Sequence, residues 1–204
     1  MRPLAVLFAL VAATAVADPP ADVPPPRPTM RQLPAAASLE APPSARILVD
    51  ARAEFDRRYP GLLARGRTTA GATLVAEALI EAAITEEDRG LKWFMLAEAQ
   101  RMAAASGNAA ALDRAIVLAS ATYEFDAVET EYRALKEIPL RILSPPRAAA
   151  LAEVAEKVAS RAEGDGRRDL AMSAQSLAIR GWQRAGLMEP AKRAVIRHDE
   201  MRLP

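Results

Sequence analysis

The chain contains a single histidine, His198, and the acidic residues Asp199 and Glu200 follow it directly. Imidazole and carboxylate groups bind metals and transfer protons, so this tripeptide has the residue types of a catalytic or metal site. Adjacent residues of a helix point to different sides, however, and chain ends fray. A zinc site usually draws on several ligands, and a Ser-His-Asp triad would have to be built around this one histidine. We therefore expect a solvated tail here.

Three groups of acidic residues have spacings that metal or hydrolytic sites can use. Residues 86–88 are all acidic, but acids are also favoured at a helix start. Residues 163–166 read Glu-Gly-Asp-Gly, whereas a complete calcium loop needs more oxygen ligands and a final Glu. Glu77 and Glu81 are four residues apart and would form a glycosidase-like dyad only in a cleft that raises one pKa. We predict no catalytic, cofactor-binding or metal-binding residues.

Aromatic and basic residues have a structural and a functional interpretation. Aromatic side chains spaced among Leu and Ala belong more often to a core than to a ligand pocket, and we expect this of Trp93, Phe94 and Trp182. Basic residues near a helix C-terminus complement its dipole, although they can also contact an anionic surface. Four residues are of this kind: Lys192, Arg193, Arg197 and Arg202.

Composition excludes several classes of site. The chain has no cysteine, which removes disulfides, thiol nucleophiles and cysteine metal ligands. It has 27 Lys and Arg against 26 Asp and Glu, for a net charge of +1. Nucleic-acid-binding proteins usually carry a basic excess, so we predict no nucleic-acid partner. We also predict no cofactor.

The N-terminus has the three parts of a secretory signal peptide. Arg2 is followed by an apolar run over residues 4–13 and by Ala15-Val16-Ala17. The apolar run is shorter than the about 20 residues that span a bilayer. We predict a signal peptide over residues 1–17, export to the periplasm or the extracellular space, and no stable membrane insertion after cleavage. The alternative is an uncleaved anchor.

Residues 18–43 are rich in Pro and Ala, including three consecutive prolines at residues 24–26. Proline has no backbone N–H to donate to a helix or a sheet. We predict an extended, disordered linker, with a proline-rich ligand for a partner domain as the alternative.

Helical signals begin at Ser44 and continue to the end of the chain. Capping residues or prolines mark predicted helix starts at Ser44, Thr68 or Thr69, Thr85, Asn108, Asp126, Ser144, Arg168 and Glu189. No segment shows sustained two-residue alternation with β-branched residues. The sequence predicts an all-α domain over residues 44–204, arranged as a helical-repeat (tetratricopeptide-like, TPR-like) array or bundle of about seven helices.

The segment from Thr85 to Asn108 is the predicted central helix. Thr85 and Asp88 have the spacing of a capping box, Gly107 can end a helix in the left-handed conformation, and Asn108 can cap the next one. The apolar residues between these signals cover most of the helix circumference. A helix of this kind is usually buried between neighbours.

Two parts of the chain resemble each other at a constant offset. Gly107 and Gly186 each follow a long predicted helix, 79 positions apart (186 − 107 = 79). At the same offset residues 75–77 match residues 154–156, both reading Val-Ala-Glu. We predict a possible duplication of a three-helix unit, over about residues 69–121 and 148–200, with stacked units sharing a core.

Residues 68–127 also carry a recognisable series of short motifs: Leu74 with Ala76 and Leu79-Ile80, Glu87-Asp88, residues 92–99, Gly107-Asn108, Ala115-Ile116 and Phe125-Asp126. The series resembles a family of uncharacterised secreted all-helical proteins that is common in planctomycete bacteria. The chain has Asn108 where that family has a second acid, and Arg89-Gly90 where Pro-Ala is common. The resemblance implies an exported, TPR-like fold and transfers no catalytic residues.

Two functions follow as hypotheses. The first is an exported, non-enzymatic scaffold that binds a protein partner through a helical face. The alternative is a small-molecule binder or a carboxylate-based hydrolase that uses a groove between the two halves. Clustered acids in a concave pocket would favour the alternative, and a flat apolar or mixed face would favour the scaffold.

Overall fold

The computed structural model describes residues 39–203. The predicted signal peptide over residues 1–17 and residues 18–38 of the predicted linker lie outside the described residues. Between residues 39 and 203 the chain forms eight α-helices and two 3₁₀ turns, with no β-strand. This confirms the all-α prediction, while the type of repeat stays a prediction.

Except at Thr85, the helices begin at or within one residue of the predicted starts. In chain order they are α1 (Ala45–Arg58), α2 (Thr69–Thr85), α3 (Arg89–Ser106), α4 (Ala109–Ser120), α5 (Ala127–Glu137), α6 (Pro145–Gly164), α7 (Arg168–Ala185) and α8 (Met188–Arg202). The 3₁₀ turns, Leu63–Arg67 and Leu140–Ile142, precede α2 and α6. The described residues thus contain eight α-helices, one more than the predicted seven, because every marked segment forms a separate helix.

Side-chain caps fix the starts of three helices. Thr68, Asn108 and Asp126 each accept a hydrogen bond from the backbone N–H three residues later, at 3.1, 3.1 and 2.9 Å. Each bond satisfies a donor that has no partner within the first helical turn. These starts agree with the sequence signals.

The predicted start of the central helix at Thr85 is wrong. Thr85 is the last residue of α2, and Asp88 is the N-cap of α3, with its Oδ1 accepting from the Leu91 N–H at 2.8 Å. The Glu86 carboxylate in turn accepts from the Asp88 N–H at 2.9 Å. Thr85 and Asp88 are both good capping residues, but α2 remains helical through Thr85, so Asp88 caps α3.

Left-handed glycines end α3 and α7. Gly107 has φ of 68° and Gly186 has φ of 75°, a region that costs residues with a Cβ about 1–2 kcal/mol. Backbone N–H groups at and after each glycine reach back to the last helical carbonyls, which would otherwise lack partners. Both helix ends were predicted.

The main core surrounds α3, which packs against α1, α2, α4 and α5. Leu91, Met95, Leu96 and Ala99 have no exposed surface, as expected for a helix that is apolar on most sides. Trp93 differs from the prediction because it is half-buried. Its ring packs edge-on against Tyr123 and Phe125, with centroids 4.8 and 5.5 Å away, at the margin of the core.

The last residues of the predicted linker contact the helical domain. Glu40 forms backbone hydrogen bonds with Thr122 and Glu124, at 3.1 and 2.7 Å, in the connection between α4 and α5. Its carboxylate pairs with Arg89, whose carbonyl accepts from the Tyr123 hydroxyl at 2.6 Å. The chain therefore enters the fold beside the start of α3. Between residues 39 and 203 no helix is long and apolar enough to cross a membrane.

Candidate functional site

The sequence-selected residues are distributed over different elements. His198 lies within α8, and its side chain is 19% exposed, with Nδ1 3.5 Å from an Asp199 carboxylate oxygen. The expected solvated tail is not observed, because α8 continues past His198 and buries Met201. Within residues 39–203 no group of three or more His, Asp or Glu side chains is placed to hold a metal ion.

The acidic groups singled out in the sequence have local partners. The Arg114 guanidinium donates a hydrogen bond to Glu77 and another to Glu81, at 2.7 Å each, and so links α4 to α2. Glu86 accepts from Arg58 at 3.0 Å and, as noted above, from the Asp88 backbone. Phe94 and Trp182 are buried, at 8% and 6% exposure, as predicted for core residues.

A different set of charged residues meets where α4, α5 and α6 come together. Asp113 lies on α4, Glu131 on α5, and Lys157 and Arg161 on α6. Lys157 Nζ is 3.0 Å from Asp113 Oδ2, and Arg161 Nη2 is 3.9 Å from Asp113 Oδ1. Arg161 also donates to Glu131 Oε2. We call these four residues the inter-half cluster, because α4 and α6 belong to the two halves that resemble each other in sequence.

Glu131 is the buried member of the inter-half cluster. Its side chain has no exposed surface, and Oε1 has no hydrogen-bond partner. Desolvation raises the pKa of Glu131 from the ordinary value of 4.5 to about 7, while Arg161 opposes the rise and the negative charge of Asp113 adds to it. Burial disfavours the charged form of a carboxyl in this way. Glu131 therefore titrates near neutral pH.

Three members of the cluster line a shallow groove, and Glu131 alone is absent from its lining. The groove encloses about 490 Å³ and is lined by Asp113, Val117, Lys157, Ser160 and Arg161. A catalytic acid or base must come within about 3 Å of the reacting group, but Glu131 is shut off from solvent. The arrangement is therefore better suited to joining three helices than to contacting a substrate.

An apolar surface lies on the outer side of α8. Met188, Val195 and Ile196 are 59%, 39% and 59% exposed, and their spacing of seven and eight residues places them on one side of the helix. With Ala191, Lys192 and Gln183 of α7 they line a depression of about 360 Å³. We call Met188, Ala191, Lys192, Val195 and Ile196 the α8 face.

Sequence reasoning missed both Glu131 and the α8 face. Glu131 lies three residues after Val128 and four before Leu135, in the apolar row of α5. A carboxylate in an apolar row was the available signal. On α8 the signal was an excess of apolar residues. Ala191, Ala194 and Met201 form the buried side of the helix, so further apolar residues must lie elsewhere on it.

Comparisons with protein-family models, with curated proteins and with solved structures find no match for this chain. The resemblance to secreted helical proteins stays a prediction. The inter-half cluster and the α8 face are therefore the two candidate functional features of the described residues.

Proposed function

We propose that the protein is an exported, non-enzymatic helical scaffold that binds a protein partner through the α8 face. The observation that carries this proposal is the exposure of Met188, Val195 and Ile196 side by side on one helix. Single apolar residues are common on protein surfaces, whereas a contiguous apolar group indicates an interaction site.

The chemistry of the α8 face suits a protein surface. Its centre is aliphatic, and Lys192 lies between its apolar residues and pairs with Glu189 at 2.8 Å. Protein–protein interfaces usually combine apolar contacts with a smaller number of paired polar groups. The exposed row is also spaced like the residues with which one helix packs against another.

Export is the second part of the proposal and is supported by the N-terminal sequence. The apolar residues 4–13 and the small residues 15–17 have the pattern of a cleaved signal. After cleavage the proline-rich segment would connect the new N-terminus to Glu40. The segment would then allow the helical domain to reach a partner at some distance.

A photo-crosslinking amino acid in place of Ile196 tests the proposal in the cells that export the protein. The matched control is the same reporter at Ile142, which is 70% exposed in the turn between α5 and α6. The expected result is a discrete protein adduct from position 196 and none from position 142. Identical adducts from both positions, or none from either, would overturn the proposal.

The second candidate function is a small-molecule binder or a carboxylate-based hydrolase in the groove between the two halves. It is favoured by one observation, the raised pKa of about 7 at Glu131 beside Asp113. A hydrolytic activity that disappears in Glu131→Gln but survives in Glu137→Gln, with folding retained in both, would favour this candidate over the scaffold. Glu137 is an exposed residue of the same helix.

A further inference from the structure

The two halves of the helical domain repeat each other helix by helix. The helices α3 and α7 begin and end at the same offset, since Arg89–Ser106 corresponds to Arg168–Ala185 (168 − 89 = 79; 185 − 106 = 79). The ends of α1 and α5, the ends of α2 and α6, and the starts of α4 and α8 are also separated by this offset. Pro60 and Pro139, after α1 and α5, extend it to the turns. The repeated unit therefore has four helices, one more than the sequence matches indicated.

The correspondence includes hydrogen bonds and helix packing. The N–H of Asn108 donates to the Ala103 carbonyl, and at the same offset the N–H of Leu187 donates to the Trp182 carbonyl, at 2.9 and 3.1 Å. The helix α2 packs on α3 as α6 packs on α7, and α3 packs on α4 as α7 packs on α8. Equivalent positions in the two halves can therefore be compared directly.

This comparison shows what the α8 face lacks. Its counterpart on α4 contains Ala109 and Ile116, which are 1% and 0% exposed, and α4 packs against α5 and α6 of the second half. The equivalent residues of α8 are Met188 and Val195, at 59% and 39% exposure. Within residues 39–203, α8 packs mainly against α7. The α8 face is thus the position at which a further helix pair would stack.

The helices equivalent to α5 and α6 are α1 and α2, and they expose apolar residues of their own. Val49 on α1 is 68% exposed and Leu74 on α2 is 72% exposed. Ala78 on α2 corresponds to Lys157, the α6 residue that contacts α4, and Leu74 lies one turn before it, at the position of the exposed Glu153. We call Val49, Arg52, Asp56, Leu74 and Ala78 the α1–α2 face.

Each face also carries a charge pair of its own. The α1–α2 face carries the exposed pair Arg52–Asp56, at 3.7 Å, and the α8 face carries Lys192, which pairs with Glu189 at 2.8 Å. Each base therefore already has an acid of its own face, and it can keep that partner when the faces meet. A charge buried without a partner would oppose association, and neither face brings one to the contact.

We infer that the partner of the α8 face is a second copy of this chain, which stacks its α1–α2 face there as α5 and α6 stack on α4. The inference rests on the proposed function, because it names the partner of the same surface. Contact between two different faces is heterologous, so association continues into a ring or an open chain of copies.

Sedimentation velocity of the exported chain, purified from cells, tests the inference. The parent should show a sedimentation coefficient that increases with concentration, while Ala78→Lys and Ile196→Glu each lower self-affinity by about tenfold or more, the range of central interface residues. An equimolar mixture of the two variants should form a dimer and nothing larger, because one intact face of each kind remains. Ile142→Glu is the control and should behave like the parent.

A parent that stays monomeric from micromolar to millimolar concentration would overturn the inference, as would assembly that survives both variants. Failure of the two variants to combine would also overturn it, because it would indicate contact between identical faces. Ala78→Arg or Ile196→Lys replaces the corresponding variant if that variant fails to fold. If the parent is monomeric but position 196 gives a discrete adduct with another protein, the inference fails and the proposed function stands. If the parent is monomeric and position 196 gives no adduct, both fail.

Discussion

Glu131 makes the free energy of unfolding depend on pH, and a single substitution can isolate this effect. The unfolded chain ionises this carboxyl near pH 4.5, whereas the folded chain holds its proton until about pH 7. Below pH 4.5 both states are protonated, and above about pH 7 both are ionised. Between these values only the unfolded state loses the proton, so the free energy of unfolding falls as the pH rises.

The size of the effect follows from the pKa of Glu131. Each pH unit in which only one state has lost the proton changes the free energy of unfolding by about 1.4 kcal/mol. Between 4.5 and about 7 the total is about 3 kcal/mol. Glu131→Gln cannot ionise and retains an oxygen for Arg161. It should match the parent near pH 4.5 and exceed it in stability by up to about 3 kcal/mol at pH 8.

Urea unfolding at pH 4.5, 6 and 8, followed by circular dichroism, measures this difference. Urea is preferable to guanidinium chloride because the chloride salt screens charges. Glu137→Gln, the same exchange at an exposed position of α5, is the control and should remain parallel to the parent. A Glu131→Gln profile that also runs parallel to the parent would refute the argument that this carboxyl is desolvated in the fold.

Three further predictions concern export, the core and the helix ends. Mass spectrometry of protein recovered from the envelope or the medium should find a new N-terminus at Asp18, and a soluble cytoplasmic pool that retains residue 1 would contradict the signal-peptide prediction. Phe94→Ala should cost about 3–5 kcal/mol in urea unfolding because the ring is buried; an unchanged midpoint would show that α3 is not central. Gly107→Ala should lower the stability more than Gly186→Ala. Both glycines are left-handed, but only a Cβ at Gly107 would meet a side chain, Leu143 Cδ2 at 2.5 Å. Equal thermal midpoints for the two variants would contradict this prediction.

Local signals predicted the helices well where they were unambiguous. The helix Arg168–Ala185 begins at the predicted start and ends before the left-handed Gly186, so both ends could be assigned. The start of α3 could not be assigned, because Thr85 and Asp88 are both suitable caps. The choice depends on how far α2 packs against α3, and such packing is a tertiary property.

The candidate surfaces were harder to predict for a different physical reason. Burial of Glu131 depends on α4 and α6, which approach it from distant parts of the sequence. Likewise, Met188, Val195 and Ile196 have the spacing of core residues, and only the absence of a covering helix among the described residues makes them a surface. A sequence pattern reports which residues are apolar, whereas the fold determines which of them remain uncovered.

Oxidation of Met188 is the most direct measurement of whether the α8 face binds a protein. Met188 is 59% exposed on that face, while Met95 is fully buried in the core and Met172 is half-buried on α7. Brief peroxide treatment followed by mass spectrometry gives the oxidation rate of each residue. Met188 should oxidise several-fold more slowly in the protein's own cells than in dilute purified protein, with Met172 unchanged and Met95 protected in both. Equal rates at Met188 in the two conditions would contradict the proposal that this face is covered by a partner.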